Sequence, residues 1–382
     1  MTILTFQPLS ASAAKSTSGK ISTNQGVGQK PAPFNFSGPH ALRKPDYNQS
    51  KRMAESDRNH RLLVFDCHEA WVYQLRVLPQ PMDVIVGLPG RHTATWDEAM
   101  RPIPANVRIV RLAEIAAAPA YHCIVAHNLT DLLDVKSLPG PRLFVIHQTL
   151  ESMIKDQRST TPPQELRQTV AQYIAMIGAH VMAVSHLKGR SWGFDQDIVP
   201  FSADPADYPA YQGDLPRGLR IANDITAKAN TLMWDFHQQA FAGIPITLLG
   251  RNPDMPGVNP SRNWTELKEA LSHHRFFVHT AHPLLEDGYN MATLEAMAAG
   301  LPILGNPHPT SPIEHGVSGF LSDDPAELRA CAQRLIEDHA LAQRMGEAAR
   351  QTLMQKFPVE KFRVGFLASI EQARIKWLQR RA

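Results

Sequence analysis

The stretch LEDGYNMATLEAMAAGLP at residues 285–302 decides how the second half of this chain is organised. Two acids and a glycine form a loop after an apolar run, and a helix is predicted to begin near Asn290 and to end at Gly300. Gly288 lets the backbone pass close to a ligand, and the helix N-terminus offers unpaired N–H groups to an anion. Glu295 is placed to accept hydrogen bonds from a diol such as ribose. The segment therefore predicts a site for a diphosphate flanked by hydroxyl groups, which is the chemistry of a nucleotide sugar.

Short apolar runs alternate with helical patterns on both sides of the middle of the chain. The runs predicted as strands are 62–65, 84–86, 123–126, 143–146 and 181–184 in the first half, and 219–222, 246–249, 276–279 and 303–304 in the second. Helices are predicted in the second half over 227–241, 264–272 and 290–299. This βαβα order is typical of parallel sheets that are covered on both faces. We therefore predict an α/β fold of two doubly wound, Rossmann-like domains that face a central cleft at the carboxyl ends of their strands.

Composition and periodicity divide the chain into four parts. They are an N-terminal extension, flexible or loosely packed, at 1–60, a first α/β domain at 61–204, a second at 219–357 and a C-terminal amphipathic helix at 358–382. The Pro-rich stretch 201–218 is predicted to link the two domains. In the last helix apolar residues recur at three- and four-residue spacing, which predicts a helix packed across the domain seam. Its basic and aromatic end leaves a membrane-surface role as the alternative.

Overall charge and cysteine usage argue against several classes of protein. The formal net charge is +3, the sequence pI is near 8.7 and there is no concentrated basic run, so nucleic-acid binding is not expected. Cys67, Cys123 and Cys331 are far apart, which predicts free thiols in a reducing compartment rather than disulfides or a CxxC metal site. No run approaches the ~18 apolar residues that a spanning helix needs. A cytoplasmic protein is expected, with peripheral contact to the inner face of a membrane as the alternative.

The spacing from Asp287 to Glu295, followed by Ala-Met-Ala-Ala-Gly-Leu-Pro, resembles the acid-x7-Glu signature of retaining GT-B glycosyltransferases, particularly glycosyltransferase family 4 (glycosyl transferases group 1). Downstream, EHGVSGFL at 314–321 is similar to the Glu-Asp-Gly-x-x-Gly-Phe-Leu turn of that family. The resemblance extends from Leu219 to the C-terminus, including a last helix that returns to the N-terminal domain, and it covers 61–204 in outline. It implies a hexosyltransferase-like enzyme that moves a sugar from a nucleoside diphosphate to an acceptor hydroxyl with retention of the anomeric configuration.

The resemblance also implies roles for residues on both sides of the cleft. Asp287 and His147 are expected to approach the transferring sugar, and the residues expected to bind the donor are Lys228, Asn223, Gly288, Tyr289, Asn290, Glu295 and Arg251. His127, His68 and Glu69 follow strands of the first domain and are expected on the acceptor side, although His68 and Glu69 would equally serve to start a helix. The expected acceptor is a glycan, a lipid-linked group or a protein, as in polysaccharide biosynthesis. Neither a cofactor nor a metal is implied.

Two positions depart from the family pattern. The first acid is Asp287 where the family usually has Glu, and Glu286 beside it is an alternative contact for the donor sugar. The family places an Arg and a Lys against the diphosphate, and this chain keeps the Lys but has Asn223 in place of the Arg. Asn carries no charge, so one partner of the diphosphate is missing or comes from Arg251 or Arg190.

Other functions are compatible with the same residues. A nucleotide-sugar epimerase of the same fold is the second choice, because it would need more acid–base carboxylates than the sequence assigns to the cleft. A phosphorylase would carry a cofactor lysine motif that the sequence lacks. A non-catalytic protein that binds nucleotide sugars, or a scaffold, is the alternative that Asn223 favours.

Overall fold

A computed structural model of the chain describes residues 60–88, 94–115 and 120–382. The predicted N-terminal extension, apart from its last residue, lies outside these described residues. Two parallel sheets with flanking helices organise the described part of the chain.

The first sheet contains six parallel strands. They are β1 (Leu62–Phe65), β2 (Met82–Ile85), β3 (Val107–Val110), β4 (Cys123–Ala126), β5 (Arg142–Ile146) and β6 (His180–Ala183), in the spatial order β3-β2-β1-β4-β5-β6. The helices are α1 (Glu69–Gln74), α2 (Leu129–Asp134), α3 (Leu150–Asp156), α4 (Pro163–Ile177) and α5 (His186–Trp192), with 3-10 turns at Leu75–Val77 and Leu112–Glu114. The strand order reverses between β1 and β4, which is where a doubly wound sheet opens a crevice for a ligand.

The second sheet contains five parallel strands. They are β7 (Leu215–Ile221), β8 (Ile246–Leu249), β9 (His274–Val278), β10 (Ile303–Gly305) and β11 (Gly319–Leu321), in the spatial order β11-β10-β9-β7-β8. The helices are α6 (Trp234–Ala240), α7 (Trp264–His273), α8 (Met291–Ala299), α9 (Pro325–Glu337) and α10 (His339–Lys356), and the last helix, α11, spans Val359–Gln379. A 3-10 turn at Pro205–Asp207 lies between the two sheets in sequence. The predicted pair of doubly wound sheets is confirmed.

Burial explains which strands the sequence predicts. All residues of β1 and β4 are buried and apolar, as expected of strands covered by helices on both faces, whereas the buried strands β2 and β9 also contain Asp83, His274 and Arg275. The sequence does not predict β3, which lies at the edge of the first sheet and is half-buried or exposed before Val110. Arg108 of β3 forms a two-pronged hydrogen bond with the buried Asp83 of β2, at 3.0 and 2.8 Å. This polar contact holds the edge strand, in which Arg108 interrupts a short apolar run.

The second sheet begins earlier than the predicted start of the second domain at 219. β7 starts at Leu215, so the end of the expected linker 201–218 belongs to the sheet. The first three residues of β7 are exposed and include a proline, which is tolerated at the start of a strand. They therefore lack the apolar pattern by which a buried strand is identified.

The helix predicted over 227–241 begins only at Trp234, and residues 224–233 form turns. Arg220 of β7 donates a hydrogen bond to the Leu232 carbonyl at 2.9 Å, which holds the end of this segment against the sheet. Arg220 belongs to the preceding strand, so the periodicity of residues 227–241 does not reveal this hydrogen bond.

The last helix, α11, packs on the first sheet although it follows the second in sequence. It contacts β4, β5 and β6, and its buried stripe consists of Phe362, Phe366, Ser369, Ile370 and Ala373. The Phe366 ring lies against Trp71 of α1, with centroids 6.0 Å apart. The predicted helix packed across the seam is confirmed. Every helix in the described ranges is too short or too polar to cross a membrane.

Replacing Phe366 by Ala is expected to lower the free energy of unfolding by about 3–5 kcal/mol, because the ring is fully buried between α11 and the first domain. Val364→Ala, on the same helix and at a side chain that is 54% exposed, is the matched control and should change stability by less than about 0.5 kcal/mol. Denaturant unfolding of both variants measures the two values. Equal stability of the two variants would show that this ring does not anchor α11.

Candidate functional site

A cleft of about 750 Å³ opens between the carboxyl ends of the two sheets. Glu69, Trp71 and His147 line it from the first domain, and Thr231 and Lys228 from the second. Buried polar atoms of this lining that have no hydrogen-bond partner among the described residues include Glu69 Oε1, Trp71 Nε1 and Thr231 Oγ1. Buried polar groups are rarely left unpaired in folded proteins. The cleft therefore presents polar atoms to a ligand rich in hydroxyl groups.

The acid pair of the motif is held by a lysine from the other domain. Lys188 of α5 places its Nζ 2.7 Å from Glu286 and 3.3 Å from Asp287. The Asp287 side chain is 2% exposed, whereas that of Glu286 is 27% exposed and lines the cleft. Burial alone would lower the pKa of Lys188, but the two carboxylates outweigh burial and raise that pKa, so the lysine stays charged. This contact joins the two domains and orients the loop that precedes α8.

Gly288 and Tyr289, which are expected to bind the donor, lie against protein instead. The Gly288 N–H donates to Thr310 Oγ1 at 2.8 Å, and a Cβ at this position would come within 2.8 Å of the backbone nitrogen of Ser311. Tyr289 is buried and its ring packs on Phe357, with centroids 4.9 Å apart. The glycine therefore permits a close approach of two loops, and the tyrosine belongs to the core.

The carboxylate of Glu295 is engaged by an arginine from the first domain. Arg101, in the segment between β2 and β3, forms a buried ion pair with Glu295 and stacks its guanidinium over Trp264, 4.4 Å from the ring centroid. The Tyr208 hydroxyl also hydrogen-bonds Glu295, and burial together with this carboxylate raises the pKa of Tyr208 well above its usual range. Glu295 still lines the cleft, so ribose hydroxyls would share it with these partners or displace them.

Helix α8 begins at the cleft, and its local signals explain its bounds. The side-chain oxygen of Asn290 accepts the Thr293 N–H at 2.9 Å, and Gly300 ends the helix at a φ of 85°. Asn290, Met291 and Ala292 line the cleft. The positive end of the helix dipole therefore faces the cleft.

Lys228 lines the cleft on the side of the second domain. Its side chain is 38% exposed and lies 4.0 Å from Asp224. Asn223, in the position of the family's Arg, accepts the backbone N–H of Arg251 at 2.8 Å through its side-chain oxygen. The Arg251 side chain is exposed, pairs with Asp224 at 3.3 Å and is not part of the lining, and Arg190 is also exposed and outside it. Neither arginine supplies the missing charge in this arrangement.

Three strands of the first sheet end in side chains that meet at the cleft. Cys67 follows β1, His127 follows β4 and His147 follows β5. His127 Nδ1 and His147 Nε2 are 2.9 Å apart, and the Trp71 ring packs edge-on against both imidazoles. The structure thus brings together two of the expected site residues and adds Cys67, a free thiol to which the sequence assigns no site role.

His68 and Glu69 take separate roles at the start of α1. His68 is the N-cap, and its Nδ1 accepts the Ala70 N–H at 3.2 Å, so the helix-start interpretation of this histidine is confirmed. Glu69 is the first residue of the helix and is buried at the edge of the cleft. Its free Oε1 keeps it a candidate for contact with a ligand.

Lys188 and Arg101 are the residues of this site that sequence reasoning missed. Lys188 lies in the first turn of α5, after Ser185 caps that helix and directly beyond β6. A cation just past the carboxyl end of a parallel strand is a signal that could have marked it. Arg101 lies in an irregular segment, 194 residues from its partner Glu295, and has no local signal.

Comparison with known sequences finds similarity over part of the second half of the chain. Residues 255–338 match the family model described as Glycosyl transferases group 1. A stretch of 80 residues, 20% of this chain, is 34% identical to N-acetyl-alpha-D-glucosaminyl L-malate synthase of Bacillus anthracis. The match spans 21% of the length of that protein.

Solved structures resemble a larger share of the chain. Anabaena Alr3699/HepE, in complex with UDP and glucose, has a TM-score of 0.58 at 13% identity, over 82% of this chain and 99% of that one. Sucrose-phosphate synthase (tll1590) from Thermosynechococcus elongatus has a TM-score of 0.58 at 12% identity, over 82% of this chain and 98% of that one. The predicted GT-B fold is confirmed.

The His279 side chain is expected to make the protein less stable in acid. Its Nε2 donates to the Asp287 carbonyl at 3.1 Å, and burial lowers its pKa from 6.5 to about 4. Because the folded pKa lies below the unfolded one, the unfolded state binds the extra proton between these values, and stability falls by about 3 kcal/mol as the pH falls through that window. His279→Asn should therefore lose less stability than the wild type between about pH 6.5 and 4, as measured by urea unfolding at several pH values.

Val364→Ala, at an exposed side chain that does not titrate, offers a control for this pH dependence and should keep the wild-type slope of stability against pH. If His279→Asn kept that slope as well, burial of His279 would not be the cause of the acid loss.

Lys188→Met is expected to lower the free energy of unfolding by about 3–5 kcal/mol, because it leaves two neighbouring acids without their buried cation. Lys361→Met, at an exposed position, is the matched control and should cost less than about 0.5 kcal/mol. Adding Asp287→Asn to Lys188→Met should recover part of the loss, because one uncompensated charge is removed. Unfolding at neutral pH measures all three variants. A loss no larger than that of the control would contradict the role of this ion pair.

Proposed function

We propose that this chain, of which residues 255–338 match the glycosyl transferases group 1 family model, transfers a sugar from a nucleoside diphosphate to an acceptor hydroxyl. The observation that carries the proposal is that a helix N-terminus, a free buried carboxylate oxygen and an anchored acid face one cleft. A helix N-terminus suits the anionic diphosphate of such a donor, and carboxylate oxygens suit the hydroxyl groups of its sugar.

Departure of the diphosphate is the step that most needs stabilisation. Negative charge grows on the leaving phosphate while the bond between the anomeric carbon and the phosphate oxygen breaks. The positive end of α8 and the Lys228 ammonium line the cleft, which supports their assignment to stabilising this charge. Asn223 adds no charge here, so α8 and Lys228 take this role in the proposal.

We assign Glu286 to contact with the donor sugar and Asp287 to its positioning. Glu286 lines the cleft, whereas Asp287 lies buried beneath it, and Lys188 bonds both carboxylates. Asp287 thus acts on the sugar through Lys188 and Glu286. The family resemblance instead favours Asp287 as the direct contact with the sugar. Variants of Glu286 and of Asp287 should therefore distinguish the two assignments.

A UDP sugar is the donor that we propose to test first. The Anabaena structure contains UDP and glucose, and the match covers 82% of this chain and 99% of the Anabaena chain. Glu295 would take the ribose hydroxyls beside Arg101. On the opposite wall, Glu69 Oε1 and the His147 imidazole face the space where an acceptor hydroxyl of a glycan, lipid or protein would enter. Retention of the anomeric configuration is part of the proposal.

Incubation with UDP-, GDP- and dTDP-sugars tests the proposal through release of the nucleoside diphosphate and through thermal stabilisation. One donor should raise the free energy of unfolding by about 2.7 kcal/mol at 100 times its Kd. Lys228→Ala should slow release by about 10²-fold, because a fixed charge at the leaving group is lost. Lys361→Ala should keep the wild-type rate. Neither release nor stabilisation with any of the donors would contradict the proposal, and NMR of the product checks retention.

Two acid variants in the same assay separate the assignments. Glu286→Gln should lower transfer and leave the affinity for UDP unchanged, because UDP lacks the sugar. Asp287→Asn should lower transfer less and lower the melting temperature more, since it weakens the buried pair with Lys188. A larger loss of transfer in Asp287→Asn at unchanged stability would assign the direct contact to Asp287. Asp323→Asn, at an exposed acid, is the control for both.

A further inference from the structure

The ends of three neighbouring strands bring together side chains of the types that bind metals. Cys67, His127 and His147 follow β1, β4 and β5, which are adjacent in the first sheet. One sulfur and one ring nitrogen from each histidine lie within 4.8 Å of one another, and all three residues are half-buried in the cleft lining. The strand order also reverses between β1 and β4, so the cluster lies at the crevice of the sheet.

We propose that Cys67, His127 and His147 bind a zinc ion on the acceptor side of the cleft. Thiolate sulfur and imidazole nitrogen are donors that Zn²⁺ prefers, whereas Mg²⁺ and Ca²⁺ prefer oxygen. Three protein ligands leave one tetrahedral position, which faces the cleft and is filled by water or by a ligand. Nothing in the proposed transfer chemistry assigns a role to Cys67.

The distances suit a zinc ion after small movements of the side chains. Bond lengths of about 2.0–2.3 Å place two nitrogens on one tetrahedral zinc about 3.3 Å apart, and a nitrogen and a sulfur about 3.6 Å apart. His127 Nδ1 and His147 Nε2, at 2.9 Å, need to separate slightly. Cys67 Sγ has to approach by up to about 1 Å to reach these separations, and rotation about χ1 supplies movement of this size.

The surrounding protein holds the ligands and favours a cation. The Trp71 ring packs edge-on against both imidazoles, with centroids 4.7 and 5.0 Å away, which restricts their orientation. Asp131 is fully buried and accepts the His127 backbone N–H at 2.9 Å. Asp66, next to Cys67 in sequence, is also buried. Two buried acids beside the cluster favour a divalent cation there.

Zinc binding has a defined proton balance and a consequence for transfer. The Cys67 thiol releases its proton to solvent as the zinc–sulfur bond forms, so no oxidant or reductant takes part. The ion also takes the lone pair of the His147 ring nitrogen. Bound zinc should therefore inhibit transfer, and this consequence rests on the proposed function, whereas zinc binding itself does not.

Metal titrations of the full chain test the site directly. After treatment with a chelator, one equivalent of Co²⁺ should give the charge-transfer absorption of a cobalt–thiolate bond, and Zn²⁺ should abolish it by displacing cobalt. Cys67→Ser should remove this absorption, and His127→Gln should weaken zinc binding by more than about tenfold. Cys331→Ser, at the other half-buried free thiol, is the matched control and should keep both the absorption and the affinity.

Thermal melting of each variant without metal shows whether its fold is kept. If Cys67→Ser does not fold, protection of Cys67 against alkylation by added zinc, with Cys331 as the internal reference, gives the answer in the unmodified chain. A wild-type chain without the cobalt–thiolate absorption, or without zinc protection of Cys67, would overturn the proposal. An absorption that survives Cys67→Ser would overturn it as well.

Transfer assays with and without zinc separate this proposal from the proposed function. Zinc at saturating concentration should slow transfer by the wild type, a chelator should restore it, and Cys67→Ser should be less sensitive to the same zinc. A chain that binds cobalt through Cys67 but turns over no donor would refute the proposed function alone. A chain that transfers sugar without metal binding at Cys67 would refute the zinc site alone.

Discussion

The ion pair that Lys188 forms with Glu286 and Asp287 is the contact on which the geometry of the cleft depends. A buried charge without a partner costs several kcal/mol, so the lysine is buried only while the acids face it. The lysine belongs to the first domain, and the acids belong to the loop that leads into α8 in the second. A second contact between the domains is the hydrogen bond that the Thr149 hydroxyl donates to the Leu285 carbonyl at 3.1 Å. When the two domains dock, Lys188 is therefore buried and the positive end of α8 is directed into the cleft at the same time.

Glu295 links the site to the domain arrangement in a different way. Its carboxylate, which the family resemblance assigns to the ribose, is paired with Arg101 of the first domain. A ligand that bonds Glu295 therefore competes with an interdomain contact or shares its geometry. Arg101 is also stacked over Trp264, and this contact would remain if the Glu295 carboxylate bonded a ligand instead of Arg101. In the proposed function, binding of the donor at Glu295 would therefore be coupled thermodynamically to docking of the domains.

The sequence predicts those features whose cause is local. The bounds of β1 and β4 follow from continuous apolar runs, and α8 begins and ends at a capping Asn290 and a left-handed Gly300. The turns at 224–233 escape prediction because hydrogen bonds from a neighbouring strand override their helical pattern. In the site, the motif acids are found from their spacing, but the cations that hold them lie far away in sequence. Lys188 and Arg101 therefore become visible only in the folded chain.

Lys188 and Arg101 of the first domain are each paired with acids of the second domain, so neither replaces the arginine of the family motif. Asn223 has become part of a turn, because its side-chain oxygen accepts the Arg251 N–H beside Gly250, whose φ is 137°. An arginine at 223 has no acceptor atom and would lose this hydrogen bond. The substitution therefore alters a backbone turn as well as a charge. In the proposed function, Lys228 and the N-terminus of α8 remain as the positive groups with which the second domain lines the cleft.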